Sequence, residues 1–478
     1  MPESSLCVTV TGRTFEAMRA GRIAAEPYAD LVELRLDTME RPSVKGLLEG
    51  RAKPVIVTCR PLREGGQFPG TEEERRRVLA QADRGGAEFI DVEFESTLLD
   101  LLAARNGHGV VVSKHDFCGS PEDIPGLLAR MRAAGAEVTK LAVMAARLAD
   151  MIPLLECARH DASQVLIAMG GPGVASRILA AKFGSRWTYS GGGAAPGQLP
   201  PERLLSEFRF ARIRRDTAVY GVLGRPVSHS LSPAMHNAGF AALGLNAAYV
   251  PLEAADVADF RTFAHASGLR GASVTAPFKI GVLEMLDEVT PVAREVRAVN
   301  TITRRDSRWV GTNTDIDGFL DPLRRRGGVR GCRVVVLGAG GAARAVVAGL
   351  RLEGAEVAVA ARRKRQAAEL AEWFGIKVAE WPPKGECDLL VNATPVGSGA
   401  TPGIAAHPAT VRAPRAYDLV YAPRETAFLD EYHEAGAETI GGLEMLIAQA
   451  ERQFEIWTGQ RPPQGLFEAA VAGLAHNV

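Results

Sequence analysis

Short apolar runs with polar residues at alternate positions recur through the first part of the chain. Such runs are typical of β-strands, and about 20 to 30 residues separate one from the next, which leaves room for a helix in each crossover. Eight strand and helix units within the first 214 residues predict a compact (β/α)8 barrel, with a doubly wound parallel sheet as the alternative. The predicted strands are Cys7–Val10, Leu31–Asp37, Pro54–Arg60, Phe89–Glu95, Gly109–Asp116, Glu137–Met144, Gln164–Gly170 and Arg186–Ser190.

A second α/β pattern follows the basic stretch Arg209–Arg215 and opens with the strand-like run Ala218–Leu223. A third unit begins at Val334–Leu337, where an apolar run leads into a glycine turn and a helical stretch, as in a nucleotide-binding βαβ unit. Three units agree with a length of 478 residues, because about 150 residues is a common domain size. The predicted fold class is α/β: an N-terminal barrel fused to a further α/β domain and a Rossmann-like domain.

The composition excludes several classes of partner. Lys+Arg and Asp+Glu both total 56, so the net charge favours neither nucleic acid nor an anionic membrane. No run approaches the roughly 20 apolar residues of a membrane span, and Met1–Ser5 lacks a targeting pattern, so we expect a cytoplasmic protein. The six cysteines and nine histidines show no metal-ligand spacing, so we expect no metal. Small molecules are the expected partners, and the sequence leaves the oligomeric state open.

Charged and apolar residues alternate in Leu31–Asp37, so Glu33, Arg35 and Asp37 share one face of the predicted strand. An exposed sheet edge gives the same alternation. Four further predicted strands also carry polar residues beside apolar ones, which favours a site inside the barrel at the strand ends.

Lys140 lies in the apolar run Val138–Met144, and burial there favours the uncharged amine, which is the nucleophilic form. Such an amine could form a Schiff base with a carbonyl compound. His115 could move protons for that imine, since imidazole titrates near neutral pH. The alternatives are a lysine that extends from a surface strand into solvent and a histidine that is hydrogen-bonded within the core.

These residues belong to motifs that resemble the Schiff-base class of 3-dehydroquinate dehydratases over about residues 6–212. The motifs are Glu33-Leu-Arg35, Thr58-Cys-Arg60, Ser113-Lys-His115-Asp-Phe, Lys140-Leu-Ala-Val-Met, Ala175-Ser-Arg177 and Ala195-Pro-Gly-Gln198. The resemblance implies that Lys140 forms an imine with the C3 ketone, that His115 removes the C2 proton and assists water loss, and that Glu33 helps to hold His115. It also implies that the substrate's carboxylate and hydroxyls are bound by Arg35, Arg60, Arg177 and Gln198. Ala194 stands where many relatives have serine, so a hydroxyl of the loop over the site is missing.

In the second half, Ser230 and Ser232 precede a predicted helix that Pro233 opens, a favourable place to bind a carboxylate. The alternative is an ordinary helix N-cap. Lys279 and Asp315 could neutralise the alkoxide charge that a hydride leaves on a ketone oxygen by passing a proton. The alternative for this pair is a surface ion pair.

A glycine-rich turn indicates a nucleotide. Gly338-Ala-Gly340-Gly-Ala-Ala343 follows the run Val334–Leu337 directly and opens a helix. The next predicted strand leads into Arg362–Arg365, without the acidic residue that would bind a free 2'-hydroxyl. Basic residues there favour a 2'-phosphate, hence NADP(H) over NAD, and the alternative is a solvated run of charge.

With further motifs, the second half is similar to shikimate dehydrogenases over about residues 218–470. Those motifs are Asn392-Ala-Thr394-Pro395, Asp418-Leu-Val-Tyr421 and Gly441-Gly442-Leu-Glu-Met445-Leu-Ile-Ala-Gln449. The resemblance implies that Lys279 and Asp315 serve proton transfer and that the substrate is held by Ser230, Ser232, Thr275, Asn300, Asp315, Tyr421 and Gln449. The predicted cofactor-binding residues are Gly338, Gly340, Gly341, Ala342, Arg362, Arg363, Thr394 and Gly442. Two positions depart from the family: Ser273 replaces a common asparagine, and Ala361-Arg362-Arg363 replaces Asn-Arg-Thr.

Together the two halves resemble the bifunctional 3-dehydroquinate dehydratase/shikimate dehydrogenases. The predicted domains are a barrel at 1–214, a substrate domain at 215–314 that is completed by 442–478, and a Rossmann-like NADP-binding domain at 315–441. The predicted function is dehydration of 3-dehydroquinate through a lysine Schiff base, followed by reduction of the product to shikimate with NADPH. The alternatives are a class I aldolase-type barrel fused to a quinate/shikimate dehydrogenase that uses NAD, and a non-catalytic metabolite sensor.

Overall fold

A computed structural model describes residues 3–193 and 195–474 of the chain. The chain divides into two compact units. The first consists of Met1–Val219 and Asn246–Leu269, and the second of Tyr220–Leu245 and Arg270–Val478. All eight strands predicted for the barrel lie in the first unit, and the predicted glycine turn lies in the second.

Eight parallel strands of the first unit form the predicted barrel. They are β1 (Ser5–Val10), β2 (Leu31–Arg35), β3 (Val55–Thr58), β4 (Phe89–Glu93), β5 (Val110–Asp116), β6 (Val138–Met144), β7 (Gln164–Met169) and β8 (Trp187–Gly191). Hydrogen-bonded neighbours run in the order β7-β6-β5-β4-β3-β2-β1-β8. The barrel closes where the backbone N–H of Arg186, directly before β8, donates to the Gln164 carbonyl of β7 at 2.8 Å.

Short helices follow most of these strands, and several have only one turn. They are α1 (Phe15–Ala25), α2 (Glu72–Arg84), α3 (Leu101–Ala104), α4 (Ile124–Ala133), α5 (Ile152–Glu156), α6 (Val174–Ile178) and α7 (Pro201–Ser206). A capping box stabilises the start of α2, because Thr71 Oγ1 accepts from the Glu74 N–H and the Glu74 carboxylate accepts from the Thr71 N–H. Apolar side chains such as Ile56, Val138 and Val165 belong to the barrel core.

The next part of the chain contains a mixed sheet. Its elements are β9 (Ala218–Gly224), α8 (Ser232–Ala242), β10 (Ala247–Glu253), α9 (Val257–Ala266), β11 (Gly271–Val274), β12 (Glu288–Val289), α10 (Pro291–Val296), β13 (Thr301–Arg305), β14 (Arg308–Thr312) and α11 (Asp315–Arg324). In the second unit, β9 pairs in parallel with β11, which pairs antiparallel with β13. β13 continues into an antiparallel pair with β14, and β12 runs parallel to β14.

A parallel sheet in the order β17-β16-β15-β19-β21-β22 confirms the Rossmann-like region. The elements are β15 (Arg333–Leu337), α12 (Gly341–Leu352), β16 (Glu356–Ala360), α13 (Lys364–Phe374), β17 (Lys377–Val378), β18 (Gly385–Glu386), β19 (Leu389–Asn392), β20 (Val411–Arg412), β21 (Arg415–Asp418), α14 (Ala427–Glu434), β22 (Glu438–Ile440), α15 (Gly442–Thr458) and α16 (Leu466–Val471). The strand order reverses at β15, and ligands of such sheets bind in the crevice at that point. α15 folds back to pack on α11.

The structure confirms the predicted α/β class and both of its architectures. Strand β2 ends at Arg35, two residues earlier than predicted, because Leu36–Thr38 forms a 3-10 turn. Within residues 3–193 and 195–474, no helix has the length and apolar character that crossing a bilayer requires.

Candidate active sites

One cavity of the first unit brings together every barrel residue that the sequence predicted. The predicted residues that line it are Glu33, Arg35, Arg60, His115, Lys140, Arg177 and Gln198. Most of them lie at or near the carboxyl ends of the parallel strands, which is the end of a (β/α)8 barrel that carries ligands. Glu64 and Tyr189 line the same cavity and were not singled out from the sequence.

Lys140 is buried among charged as well as apolar groups. Its Nζ lies 3.2 Å from Asp91 Oδ2 and 3.6 Å from Glu33 Oε1, and 4.1 Å from the centre of the Tyr189 ring. The sequence predicted apolar surroundings for this amine. The structure places two carboxylates and one aromatic face beside it.

The partner of His115 differs from the prediction. Glu33 was expected to hold His115, but its two carboxylate oxygens accept hydrogen bonds from Thr9 Oγ1 and Thr58 Oγ1, both at 2.9 Å. Glu64 Oε2 instead lies 3.1 Å from His115 Nδ1 and accepts from the His115 backbone N–H at 3.1 Å. The physical reason is position. Glu33 is hydrogen-bonded to Thr9 of β1 and Thr58 of β3, whereas Glu64 is the last residue of the 3-10 turn Leu62–Glu64 that follows β3.

Burial moves both members of this pair toward their uncharged forms. It raises the pKa of Glu64 to about 7, although the charge of Arg60 opposes the shift. Burial, together with the charges of Arg60 and Lys140, holds the pKa of His115 well below its usual range. At neutral pH His115 is therefore a neutral imidazole, the form that can accept a proton from a bound molecule.

Carboxylates already surround Arg60. Its Nη1 donates to Glu93 Oε1 at 2.9 Å and to Ser113 Oγ at 2.7 Å, and its Nη2 lies 2.9 Å from Asp91 Oδ2. Burial alone would raise the pKa of Asp91, but the charges of Arg60 and Lys140 hold it well below its usual value. The resemblance implies that Arg60 helps to bind the substrate's carboxylate and hydroxyls, yet these partners balance its charge before any ligand binds.

Arg177 is a buried cation of this cavity that could bind an anion. Its Nη1 donates to the Tyr189 carbonyl at 3.5 Å and its Nη2 to the Pro196 carbonyl at 3.2 Å, while its Nε is buried without a partner. No carboxylate of the described residues forms an ion pair with it, and burial lowers its pKa to about 10. A guanidinium that lacks a counter-charge in a buried cavity favours an incoming carboxylate.

Arg35 and Gln198 complete the lining of this cavity. Arg35 donates twice to Asp37, from Nε to Oδ1 and from Nη2 to Oδ2, both at 2.8 Å. Gln198 Nε2 donates to Thr9 Oγ1 at 3.3 Å, which joins the loop before Gln198 to β1. The prediction about Ala194 lies outside the described residues.

The second unit joins Lys279 and Asp315 directly. Lys279 Nζ lies 2.6 Å from Asp315 Oδ2, and Asp315 Oδ1 accepts from Asn300 Nδ2 at 2.7 Å. Asn300 Nδ2 also lies 2.9 Å from Thr314 Oγ1 and 3.4 Å from Gln449 Oε1. A lysine held this close to a carboxylate and to neutral donors can supply a proton to a developing alkoxide.

The two serines stand at the start of α8. Ser230 Oγ accepts from the N–H of Ser232, the first residue of α8, at 3.3 Å, whereas Leu231 directly before the helix provides no side-chain cap. Ser230 thus satisfies one N–H at the helix start, as the N-cap alternative expected, and this start is also a favourable place for an anion. Ser273 Oγ donates to Gln453 Oε1 at 2.6 Å, so at least one of its bonds links β11 to α15. Thr275 and Tyr421 are half-buried on the loops after β11 and β21.

The glycine turn has space for a cofactor. Gly338 has φ +107, and a Cβ there would lie 2.9 Å from the Ala393 carbonyl oxygen, so this position requires glycine. A Cβ at Gly340 would meet nothing within 4 Å, and α12 begins without a side-chain cap. The free N–H groups of Gly341, Ala342 and their neighbours suit a pyrophosphate at the helix start. A Cβ at Gly341 would lie 3.0 Å from Lys279 Cβ, so the turn adjoins the Lys279–Asp315 pair.

The remaining predicted cofactor residues differ in their exposure and in their contacts. Arg362 and Arg363 are exposed directly after β16, where a 2'-phosphate would lie. Thr394 donates from both its N–H and its Oγ1 to Asn392 Oδ1, at 3.0 and 2.6 Å, and is close to Gly338. Gly442 is required for packing, because a Cβ there would lie 2.4 Å from the Leu419 carbonyl oxygen.

Three family models match this chain. A model of type I 3-dehydroquinase matches residues 6–214, a model of the shikimate dehydrogenase substrate-binding domain matches residues 222–302, and a model of the shikimate 5'-dehydrogenase C-terminal domain matches residues 442–472. Their order along the chain agrees with the barrel and the two sheets of the fold.

Curated relatives and solved structures give the same division. The bifunctional 3-dehydroquinate dehydratase/shikimate dehydrogenase of Arabidopsis thaliana, whose name includes chloroplastic, is 36% identical, over 97% of this chain and 83% of that protein. The NADP(+) shikimate dehydrogenase of a Geobacter species is 43% identical, over 54% of this chain and 95% of that protein. A solved shikimate dehydrogenase in complex with NADP+ has a TM-score of 0.51 and 35% identity, over 55% of this chain and 96% of that one.

Proposed function

The chain belongs to the family of bifunctional 3-dehydroquinate dehydratase/shikimate dehydrogenases, and we propose that it catalyses two successive reactions of the shikimate pathway. The barrel dehydrates 3-dehydroquinate through a Schiff base on Lys140. The second unit reduces the product, 3-dehydroshikimate, to shikimate with NADPH. The convergence of all seven predicted barrel residues on one cavity around a buried amine supports this proposal most strongly.

The proposed barrel reaction begins when Lys140 Nζ loses a proton and adds to the C3 carbonyl of the substrate. Loss of water then gives a protonated imine, which makes the C2 hydrogen acidic. His115 removes that C2 proton, and the electron pair moves toward the imine nitrogen to form an enamine. The enamine expels the hydroxyl on the next carbon as water, with the proton returned by His115, and hydrolysis of the new imine frees Lys140.

Arg177 is proposed to bind the substrate carboxylate. Its guanidinium lacks a carboxylate partner among the described residues, whereas Arg35 and Arg60 are each paired with one or more. A carboxylate bound there would fix the ring so that C3 faces Lys140 and C2 faces His115. The side chains of Arg35 and Gln198 remain available for the hydroxyls at the cavity wall.

In the second unit, Lys279 and Asp315 are proposed to serve proton transfer at the ketone oxygen. NADPH, when bound, supplies the hydride. The turn Gly338–Gly341 and the exposed Arg362 and Arg363 fit its pyrophosphate and 2'-phosphate. Lys279 Nζ, 2.6 Å from Asp315, donates a proton as charge develops on the substrate oxygen. Ser230 and Ser232 at the start of α8 bind the substrate carboxylate, and Asn300 and Gln449 bind its hydroxyls.

The proposed domain limits are 1–214, 215–314 with 442–478, and 315–441. The matches at 6–214, 222–302 and 442–472 support them. The cytoplasmic location stays a prediction. The proposed partners are the small-molecule substrates and NADP(H).

The full-length chain tests both reactions when 3-dehydroquinate is supplied with and without NADPH. Without NADPH, we expect absorbance of the enone product to rise, and with NADPH we expect that absorbance to be consumed while NADPH is oxidised. Borohydride added during turnover should fix substrate mass to the peptide that contains Lys140. Retro-aldol products, a preference for NAD, or no turnover at all would each contradict the proposal.

A further inference from the structure

Arg75 of α2 is fully buried behind the barrel cavity, outside its described lining. Its Nε donates to the Cys59 carbonyl at 2.8 Å, directly before Arg60 in the chain. Its Nη2 donates to Glu93 Oε2, and its Nη1 donates to Glu72 Oε1 at 2.6 Å. Arg75 therefore touches both the backbone that carries Arg60 and the carboxylate that Arg60 contacts.

The contacts continue from Arg75 to the reactive amine without a gap. Glu93 accepts from Arg75 with one oxygen and from Arg60 with the other. Arg60 pairs with Asp91 at 2.9 Å, and Asp91 accepts from Lys140 at 3.2 Å. Positive and negative groups alternate along this chain of ion pairs, and every member is almost completely buried.

The balance of charge explains what Arg75 contributes. Within the described part of the first unit, the chain of ion pairs holds the cations Arg75, Arg60 and Lys140, and the carboxylates that join them are Glu93 and Asp91. Glu33 adds a third carboxylate beside Lys140. If Arg75 were neutral, Glu93 would depend on Arg60 alone, and three carboxylates would face two cations, which disfavours an anionic substrate nearby.

We propose that Arg75 is a positioning residue of the dehydratase site, which compensates Glu93 and fixes Arg60 so that no uncompensated carboxylate opposes the binding of an anionic substrate. This inference rests on the proposed function of the barrel. Glu72 does not need Arg75 in the same way, because Arg63 also pairs with it at 2.8 Å.

Arg22 provides a matched control. It is also a buried arginine on a helix of the first unit, and it pairs with Glu26 at 2.5 Å and with the Glu49 carbonyl at 3.1 Å. Its contacts do not include any residue of the cavity. An Arg22→Met variant therefore reproduces the cost of removing a buried guanidinium without changing the charge beside Arg60.

The experiment compares four full-length variants in steady-state dehydration of 3-dehydroquinate: Arg75→Met, Arg75→Lys, Arg75→Met with Glu93→Gln, and Arg22→Met. We expect Arg75→Met to raise KM about tenfold or more and to lower kcat less, because the buried carboxylate of Glu93 loses one of its two counter-ions. Arg75→Lys retains the charge and should raise KM by no more than about threefold. The double variant removes both charges and should recover most of the lost KM.

Reduction of added 3-dehydroshikimate by the same samples measures whether each chain is folded and active elsewhere. The inference is overturned if Arg75→Met keeps the wild-type KM, if Arg22→Met raises KM equally, or if the double variant is no better than Arg75→Met. Should Arg75→Met fail to fold, a large KM increase in Arg75→Lys relative to Arg22→Met would also overturn it. A wild-type chain that forms no enone would contradict the proposed function instead.

Discussion

The two sites of this chain differ in the groups that surround their charged residues. The barrel site buries a chain of ion pairs in which Arg60, Asp91 and Lys140 are each less than 6% exposed. The site of the second unit holds the ion pair Lys279–Asp315 among neutral amides and hydroxyls. Lys279 is 18% exposed, so its amine is closer to solvent than that of Lys140.

This difference follows from the two chemistries that we propose. When a covalent imine forms and breaks down, the charge on one nitrogen changes several times in a cycle. Water has little access to a buried nitrogen and cannot stabilise each charge state. Fixed charges around the nitrogen can stabilise these states, because they need not reorganise during the reaction. A hydride transfer develops one alkoxide charge, for which a single proton donor close to solvent is sufficient.

The largest expected effect separates the two sites. Lys140→Ala removes the only group that we propose forms a bond to the substrate, so dehydration should fall by about ten-thousand-fold or more. Reduction of added 3-dehydroshikimate by the same sample should be unchanged. Lys45→Ala, which changes an exposed lysine, is the control for both assays. Loss of both activities in Lys140→Ala would contradict independent sites.

Lys279→Ala makes the reverse test. The variant lacks the proposed proton donor, so we expect the reduction of 3-dehydroshikimate to become slower at saturating substrate by about 100- to 1,000-fold, as for loss of a general acid. Enone formation from 3-dehydroquinate should remain at the wild-type rate. The control is Lys377→Ala, an exposed lysine of the same unit. A variant whose turnover falls by less than about threefold would mean that another group donates the proton.

Glu64→Gln tests the pair that burial makes sensitive to pH. Because the pKa of Glu64 is raised to about 7, its carboxyl gains a proton as the pH falls through that value and no longer accepts from His115 Nδ1. The kcat/KM of wild-type dehydration should therefore decrease as the pH is lowered from about 8 to 6. The variant should be about ten- to a hundredfold slower at pH 8, with a flatter response in this range.

Glu95→Gln is the control for this measurement, since Glu95 is an exposed carboxylate just after β4 that pairs with Lys114. Its pH profile should match the wild type. If Glu64→Gln kept the wild-type slope between pH 6 and 8, a group other than Glu64 would set the acidic limb.

Alternation predicted the strands and five of the seven barrel residues, because those five lie on or close after strands, where alternation defines one face. Arg177 lies on α6 and Gln198 on the loop after β8, and both were predicted from the family resemblance. Glu64 follows no such pattern, since it ends a 3-10 turn, and its contact with His115 spans 51 positions of the chain. The same is true of Arg75, which is an ordinary charged residue of α2 until the fold buries it. The carboxylate beside Lys140 could not be predicted from the run Val138–Met144 either, because Asp91 belongs to β4 and reaches Lys140 past β5.

In the second unit, local signals were more informative. The glycine turn is a contiguous motif, and Gly338 requires its positive φ within that motif. Gly442 shows the limit of such signals, because the sequence does not reveal that the fold requires glycine there for the close approach of Leu419. Its contact with the cofactor stays a prediction. Contacts between helices, such as α11 with α15, decide which neutral groups surround Asp315, and no spacing along the chain encodes them.

The smallest expected effect concerns cofactor choice. Arg362→Ala removes an exposed guanidinium next to the proposed 2'-phosphate position, and we expect the KM for NADPH to rise about tenfold, with that for NADH unchanged. Solvent screening and the neighbouring Arg363 limit the effect, so added salt should reduce the difference between variant and wild type. Arg412→Ala, an exposed arginine of the same unit, should leave both KM values as they are. An equal rise for NADH would mean that Arg362 contacts a part shared by both cofactors.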